Sequence, residues 1–188
     1  MTAAAEAPTR IAVIGIGNVL LGDDGFGPCV VALLQAGWEF PDNVTLVDAG
    51  TPGLGLVTFL DGCDVAVLVD AVGATGRPGE LRLYRGEDLR NLPTKPRVSP
   101  HDPAVQEALS IVELGGRGPR AVRLFGVIPE SHELGAGLSP PVRAAATATA
   151  VRVVEELTKF GAILTPRPEP RALEAWWMAD PLKTASCA

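Results

Sequence analysis

Apolar positions along the chain occur in short runs and at helical spacing, and together they predict alternating strands and helices. Residues 11–16 form a nearly continuous apolar run, which is typical of a buried parallel strand. A glycine turn follows. From residue 27 to 36 the apolar positions recur at helical spacing, with Pro28 where the first turn of a helix tolerates it. A strand, a glycine turn and a helix in this order indicate the first unit of a doubly wound α/β sheet.

The same alternation continues through the rest of the chain. Further strands are predicted at residues 44–47, 65–69 and 122–128, and an alternating pattern at 79–84 predicts an edge strand. Helices are predicted at 54–60, 105–114 and 141–160, and residues 93–103 form a proline-rich loop. We therefore predict an α/β fold, a doubly wound three-layer sandwich with about five mostly parallel strands and an antiparallel edge strand.

The chain divides into a flexible N-terminus at residues 1–9, one domain at 10–164, and a proline-rich connector with a tail at 165–188. Prolines at 166, 168 and 170 make the connector stiff and extended. Residues 172–178 are predicted to form a short helix that carries Trp176 and Trp177. We favour an interpretation in which these tryptophans fold back over the domain, and docking to a partner is the alternative.

Composition fits a globular domain and excludes several classes of partner. The 188 residues are 47% hydrophobic, and the formal net charge of −6 argues against nucleic acid and anionic membranes. No apolar run approaches the ~20 residues of a membrane span. The first residues lack a secretory signal pattern, so we expect a cytoplasmic protein, and we expect a monomer. Cys29, Cys63 and Cys187 are far apart, which favours thiols in a reducing compartment over a disulfide or a zinc site.

The glycine turn after the first strand does not match the nucleotide-binding motifs. Four residues are assigned to the structure of this turn: Gly15, Gly17, Asn18 and Gly25. A dinucleotide fingerprint that starts at Gly15 requires glycine at the position of Leu20, and no Gly-Lys-Ser/Thr sequence follows for a P-loop. Asp23 and Asp24 would also repel a phosphate at this turn. A cation or a positively polarised group is therefore the expected ligand.

Carboxylates follow three of the predicted strands. Asp24 comes after the first strand, Asp48 ends the second, and Asp70 ends the third. The carboxyl ends of strands in an open α/β sheet face one crevice, and His101 lies in a loop that can reach it. Two carboxylates and one imidazole form a ligand set that suits nickel, zinc or manganese. Each residue taken alone also has a structural explanation, as a cap, a turn former or an exposed loop residue.

The sequence from Gly15 to Gly27, GIGNVLLGDDGFG, resembles the opening motif of the hydrogenase maturation endopeptidases, which process the large subunit of nickel–iron hydrogenases. The resemblance spans residues 10–161. It continues, in the family's order, with DAGT at 48–51, VDA at 69–71, SPH at 99–101 and GVIPES at 126–131. Two features depart from the family pattern: Ala49 stands where glycine is frequent, and the tail after residue 165 is longer than in a typical member.

This resemblance implies an endopeptidase that removes the C-terminal extension of a nickel–iron hydrogenase large-subunit precursor after nickel insertion. It places both the metal-binding and the catalytic positions at Asp24, Asp70 and His101. Nickel carried by the substrate is the implied ion, and zinc or cadmium are other divalent ions that such a site accepts. The implied substrate-recognition segment consists of four residues: Asp48, Ala49, Gly50 and Thr51.

Several alternatives stay open at this stage. A bound metal either polarises the scissile carbonyl and activates water, or serves in recognition while a carboxylate acts as general base; we favour recognition. A non-catalytic metal-binding chaperone or accessory module for a metalloenzyme is the second functional hypothesis. A nucleotide-binding enzyme that uses the Gly15–Gly17 turn is the third. His132 is predicted to lie at the surface, with a position near the crevice as the alternative.

Overall fold

The computed structural model describes residues 8–90, 102–173 and 177. Its strands and helices, in chain order, are β1 (Ile11–Gly15), α1 (Phe26–Gly37), β2 (Trp38–Glu39), β3 (Val44–Asp48), α2 (Leu56–Leu60), β4 (Val65–Ala71), β5 (Leu81–Arg85), α3 (Glu87–Arg90), α4 (Asp102–Leu114), β6 (Ala121–Val127), α5 (Pro140–Lys159) and β7 (Thr165–Pro166). Short 3₁₀ turns at Gly22–Gly25 and Gly53–Gly55 precede α1 and α2.

Five strands form the central sheet, in the spatial order β3-β1-β4-β6-β5. β1 runs parallel to both β3 and β4, and β4 runs parallel to β6, whereas β5 at the edge is antiparallel to β6. β4 is buried along its whole length, as the near-continuous apolar run predicts for a central parallel strand. The predicted mostly parallel sheet with one antiparallel edge strand is confirmed.

Helices cover both faces of this sheet. α1 and α5 contact each other on one face, and α2 and α4 contact each other on the other. Because successive strand residues point to opposite faces, Val13 belongs to the core under α1 and α5, while Ile14 belongs to the core under α2 and α4. The result is the predicted three-layer sandwich. Among the described residues, no helix combines the length and the hydropathy that crossing a bilayer requires.

Most predicted element boundaries lie close to the observed ones, and two differ in ways that matter for the site. β4 continues to Ala71, because Asp70 still pairs with Gly126 of β6. The strand predicted at 65–69 is therefore two residues longer, and Asp70, predicted at its end, is followed by one more strand residue. α4 begins at Asp102, so residues 102 and 103, predicted as loop, are helical. The remainder of that loop, residues 93–101, lies outside the described part of the chain.

The connector that follows residue 164 is attached to the body of the domain. β7 pairs with β2 in an antiparallel ribbon. Backbone N–H groups of Arg167 and Arg171 then donate to carbonyls at the end of α1, at 2.8 and 3.0 Å. The Arg167 guanidinium also contacts the Glu39 carboxylate at 3.0 Å. The helix predicted at 172–178 lies mostly outside the described residues, which include Trp177 but not Trp176.

Candidate active site

The carboxyl ends of β1, β3 and β4 meet at one edge of the sheet. Gly15 at the end of β1 pairs with Asp48 on one side and with Val69 on the other. In the following loops, the N–H of Gly17 donates to the carbonyl of Gly50 at 2.8 Å. The chain passes from β1 outward to β3 and then returns to place β4 on the opposite side of β1. The topological switch point therefore lies between β1 and β4, where open α/β sheets bind ligands.

Two glycines allow the start of α1 to approach this switch point. A Cβ atom on Gly27 would lie 2.3 Å from the carbonyl oxygen of Ile16 and 2.4 Å from that of Val69. Gly17 has a φ of +137°, and a Cβ atom there would lie 1.8 Å from the carbonyl oxygen of Asp24. Side chains are not tolerated at such separations, so both positions require glycine. The turn that carries Asp24 is thereby packed against the edge of the sheet.

Asp24 is buried in this turn, with 2% of its surface exposed. Its Oδ2 accepts a hydrogen bond from the backbone N–H of Asn18 at 2.7 Å. The Asn18 side chain in turn accepts the N–H of Leu20 at 3.0 Å. A phosphate bound at a glycine turn depends on backbone N–H groups of this kind, and here a carboxylate of the protein already occupies one. This geometry argues against the nucleotide-binding hypothesis.

Asp70 lies beside the same turn, inside β4, with 3% of its surface exposed. Its Oδ1 accepts the backbone N–H of Ala71 at 2.8 Å. Because the 3₁₀ turn Gly22–Gly25 contacts β4, adjacent segments carry Asp24 and Asp70. The switch point of the sheet thus has two buried carboxylic acids next to it.

His101, the third predicted ligand, lies outside the described residues. Within the ranges 8–90 and 102–173, no group of three or more His, Cys, Asp or Glu side chains is arranged to hold a metal ion. The three-residue site therefore remains a prediction. Its two carboxylates come from segments that lie side by side.

The segment predicted to recognise substrate, residues 48–51, forms a turn at the end of β3. The Asp48 carboxylate is exposed, and its Oδ1 accepts the N–H of Gly50 at 3.0 Å. Gly50 has a φ of +57°, a conformation that favours glycine. This is the Asx-turn geometry that aspartate commonly stabilises. Because Asp48 pairs with Gly15, the turn lies at the rim of the same edge as Asp24 and Asp70.

Asp23 has a structural role that the sequence did not reveal. It is 1% exposed, and its Oδ2 accepts the N–H groups of Glu130 and Ser131 at 2.8 and 3.2 Å. Ser139 donates its N–H to Oδ1 at 2.7 Å and its hydroxyl to Oδ2 at 2.9 Å. One carboxylate thus fastens the loop before α5 to the turn before α1. The donors are 107 to 116 residues away along the chain, so no local pattern signals these bonds.

Comparison with known proteins identifies the family. The HycI hydrogenase maturation protease model matches residues 28–157. The chain belongs to the hydrogenase maturation protease family. Hydrogenase expression/formation protein HupD of Bradyrhizobium diazoefficiens is 33% identical, over 94% of this chain and 93% of its own. Hydrogenase 2 maturation protease of Escherichia coli is 35% identical, over 84% of this chain and 96% of its own.

A solved structure is similar to this maturation protease over most of both chains. The hydrogenase maturating endopeptidase HybD from Escherichia coli matches with a TM-score of 0.80 and 34% sequence identity, covering 85% of this chain and 98% of that one. The chain is therefore an endopeptidase with the α/β sandwich fold that its sequence predicted. This decides against the hypothesis of a non-catalytic accessory module.

The two described thiols of the maturation protease are poor nucleophiles. Burial raises the pKa of Cys29 to about 12, against an opposing effect of the Arg143 charge. Burial likewise raises the pKa of Cys63 to about 11. Neither thiol is in a disulfide, in agreement with the sequence, and neither is suited to act as a thiolate. Cys187 lies outside the described residues.

His132 of the protease is partly exposed. Its Nε2 atom is buried and has no hydrogen-bond partner among the described residues. The neighbouring N–H groups of Glu130 and Ser131 are bonded to Asp23, which holds this part of the loop against the body of the protein. The long-range contacts of Asp23 thus hold the loop that carries His132.

Proposed function

We propose that this protease removes a C-terminal peptide from the large-subunit precursor of a nickel–iron hydrogenase once nickel has been inserted. The observation that carries the proposal is the placement of Asp24 and Asp70, both buried and both next to the switch point, in a member of the hydrogenase maturation protease family. Buried carboxylates are costly unless they are hydrogen-bonded, paired or bound to a cation. Asp24 and Asp70 each accept a backbone hydrogen bond, and a divalent ion brought by the substrate would be a further partner for both.

Nickel in this proposal is part of the substrate. Asp24 and Asp70, together with His101, would supply its protein ligands. The donor set fits a divalent ion of borderline hardness, because it combines carboxylate oxygens with an imidazole nitrogen. Asp24 uses Oδ2 to accept the Asn18 N–H, while Oδ1 accepts no hydrogen bond from the described part of the chain. That second oxygen is the atom we assign to the ion. Zinc and cadmium are further ions expected to bind the same donors.

Two carboxylates and one imidazole leave several coordination positions of a metal ion for groups of the precursor. We therefore favour a recognition role for the ion, with one of the carboxylates as general base toward the attacking water. In the alternative, the ion polarises the scissile carbonyl and activates the water itself. We call the edge of the sheet that carries Asp24, Asp48 and Asp70 the acidic edge. Under either scheme, this edge has no cation to organise the peptide until nickel is present. Cleavage therefore waits for metal insertion.

Residues 48–51 are the proposed contact for the precursor chain. The Asx turn at Asp48 is exposed and lies at the rim of the acidic edge. Its backbone is fixed by the Gly17–Gly50 hydrogen bond of 2.8 Å, so it presents a preformed surface. A rigid recognition turn loses little conformational entropy when the substrate binds.

The direct test compares two forms of one large-subunit precursor, nickel-loaded and nickel-free, each incubated with the purified protease. We expect mass spectrometry to show a shortened large subunit and a released C-terminal peptide from the loaded form alone. Equal cleavage of both forms would contradict nickel-dependent recognition. An intact loaded precursor would contradict the proposed substrate, provided that the protease is folded by circular dichroism.

A further inference from the structure

Trp177 lies close to the loop of residues 130–139, which hydrogen bonds to Asp23 hold against the turn before α1. A Cβ atom on Gly137 would lie 3.5 Å from the carbonyl oxygen of Trp177, and Trp177 is half-buried. Earlier in the connector, the N–H of Arg171 donates to Ala36 near the end of α1. The chain thus contacts the far end of α1 at residue 171 and the loop beside the start of α1 at residue 177. The described residues 171 and 177 therefore contact opposite ends of α1 and its neighbouring loop.

A pocket of about 220 Å³ lies next to this contact. Its lining residues come from the Asp23 turn and the fastened loop: Gly22, Asp23, Ser131, Glu133, Leu134, Gly135, Ala136, Gly137 and Ser139. Leu134, one of the lining residues, has 86% of its surface exposed and gives this part of the pocket an apolar rim. The pocket is smaller than the roughly 300–1,000 Å³ of small-molecule sites, so a peptide side chain suits it better.

Eleven residues, 178–188, follow Trp177, with the sequence MADPLKTASCA. Gly137 belongs to the pocket lining and also borders Trp177, the described residue that precedes this segment in the sequence. It contains the apolar residues Met178 and Leu182, and its Lys183 is complementary in charge to the acidic Glu133 of the lining. We propose that the pocket is the docking site of this protein's own C-terminal segment, with an apolar side chain of residues 178–182 inserted beside Leu134.

Docking at this place has a consequence for the acidic edge. Gly135 is bonded on both sides to the segment that precedes Asp24: its N–H donates to Leu20, and its carbonyl accepts the N–H of Gly22, both at 2.9 Å. A segment seated against Gly135 and Gly137 therefore restrains the same turn that positions Asp24. The proposal does not depend on which peptide bond the protease cleaves, because it concerns the tail and not the substrate.

The first test uses the full-length protein and trypsin, which cuts after Lys183 when the tail is undocked. Ala136 is exposed in the pocket wall, so Ala136→Trp fills the pocket without disturbing the core. We expect cleavage after Lys183 to become on the order of 10-fold faster, since proteolysis follows the population of the open form. Ala148→Trp, at an exposed position of α5, is the matched control and should cleave at the wild-type rate.

The second test measures the rate of amide hydrogen exchange in the loop of residues 130–139, in the full-length chain. Leu182→Asp should speed exchange of the Gly135 N–H by roughly 10-fold, because an undocked tail no longer opposes local opening. Ala185→Asp is the matched control in the same segment. Equal trypsin cleavage in all variants, or unchanged exchange in Leu182→Asp, would overturn the proposal. Protection of Lys183 that rises with protein concentration would assign the pocket to the tail of a second copy and would also overturn it.

Discussion

Ser139 binds Asp23 through two hydrogen bonds, its N–H to Oδ1 at 2.7 Å and its hydroxyl to Oδ2 at 2.9 Å. Ser139 immediately precedes α5, and Asp23 lies in the turn that precedes α1. The pair therefore couples the starts of two helices that pack together on one face of the sheet. Asp23 is a structural residue directly beside the proposed catalytic residue Asp24, and substitutions can separate the two roles.

Asp23→Ala is expected to lower the free energy of unfolding by about 2–4 kcal/mol, because three backbone N–H groups in partly buried hydrogen bonds lose their acceptor. Urea denaturation followed by circular dichroism measures the change. Asp42→Ala, at an exposed position, is the control and should stay within about 0.5 kcal/mol of the wild type. Equal stability of the two variants would show that the Asp23 hydrogen bonds do not hold the loop.

Asp24→Asn and Asp70→Asn each remove a charge with little change in size. Cleavage of the nickel-loaded precursor should fall by at least about 100-fold in each variant, since both acid–base chemistry and metal binding need the carboxylate. The thermal unfolding midpoint should shift by less than about 5 °C. Initial rates of peptide release, with Asp42→Asn as the matched control, provide the measurement. If Asp24→Asn released the peptide at the wild-type rate, Asp24 would not be a residue of the active site.

Gly27 and Gly37 provide a matched pair of glycines within α1. A Cβ atom on Gly27 would lie 2.3 Å from the Ile16 carbonyl oxygen, whereas one on Gly37 would meet nothing within 4 Å. Gly27→Ala should therefore destabilise the protein by more than about 3 kcal/mol, and it should also reduce cleavage because the Asp24 turn is displaced. Gly37→Ala should change stability by at most about 1 kcal/mol. Chemical denaturation of both variants makes the comparison, and similar losses would contradict the close-packing argument.

Glu156 in α5 is buried and receives hydrogen bonds from Arg123 and Lys159, both at 2.8 Å. Burial raises the pKa of Glu156, but the two cationic partners outweigh that effect and the net pKa lies below its usual value. The ionised Glu156 carboxylate therefore stabilises the folded protein above the ordinary glutamate pKa of about 4.3. This stabilisation is lost as pH falls through the lower pKa that Glu156 has in the folded state.

Glu156→Gln should cost about 1–3 kcal/mol at pH 7, and the difference from the wild type should shrink as pH falls below about 4. Urea denaturation at several pH values measures this difference. Glu155→Gln, at the exposed neighbouring position, is the control and should show little effect at any pH. A constant difference across the pH range would assign the loss to packing.

The architecture of this protein was predictable because its buried strands are encoded locally. The apolar runs of β1 and β4 and the helical spacing of α1 and α5 each sit within a short window of sequence. The positions of Asp24 and Asp70 at the carboxyl ends of predicted strands then placed both residues near one edge of the sheet. The sequence pattern of these strands agrees with the structure because a parallel strand that is buried on both faces needs a continuous apolar run.

Other features depend on partners that are distant in the chain. Asp70 looked like the end of a strand because it is polar, yet pairing with Gly126 lets β4 continue to Ala71. The four hydrogen bonds of Asp23 come from a loop that follows it by over a hundred residues. The ribbon of β2 and β7 has two residues in each strand, too short for a periodic signal.

Asp70 and Asp24 differ in how firmly the protein backbone holds them. Asp70 is part of a strand whose ladder continues through Ala71, so its main chain cannot move without breaking the sheet. Asp24 belongs to a turn of four residues. An ion site built from these two residues would have one ligand in a fixed position, Asp70, and one ligand that can shift, Asp24. Cations of different radius would then be accommodated by displacement of the turn, while the position of Asp70 in the sheet stays the same.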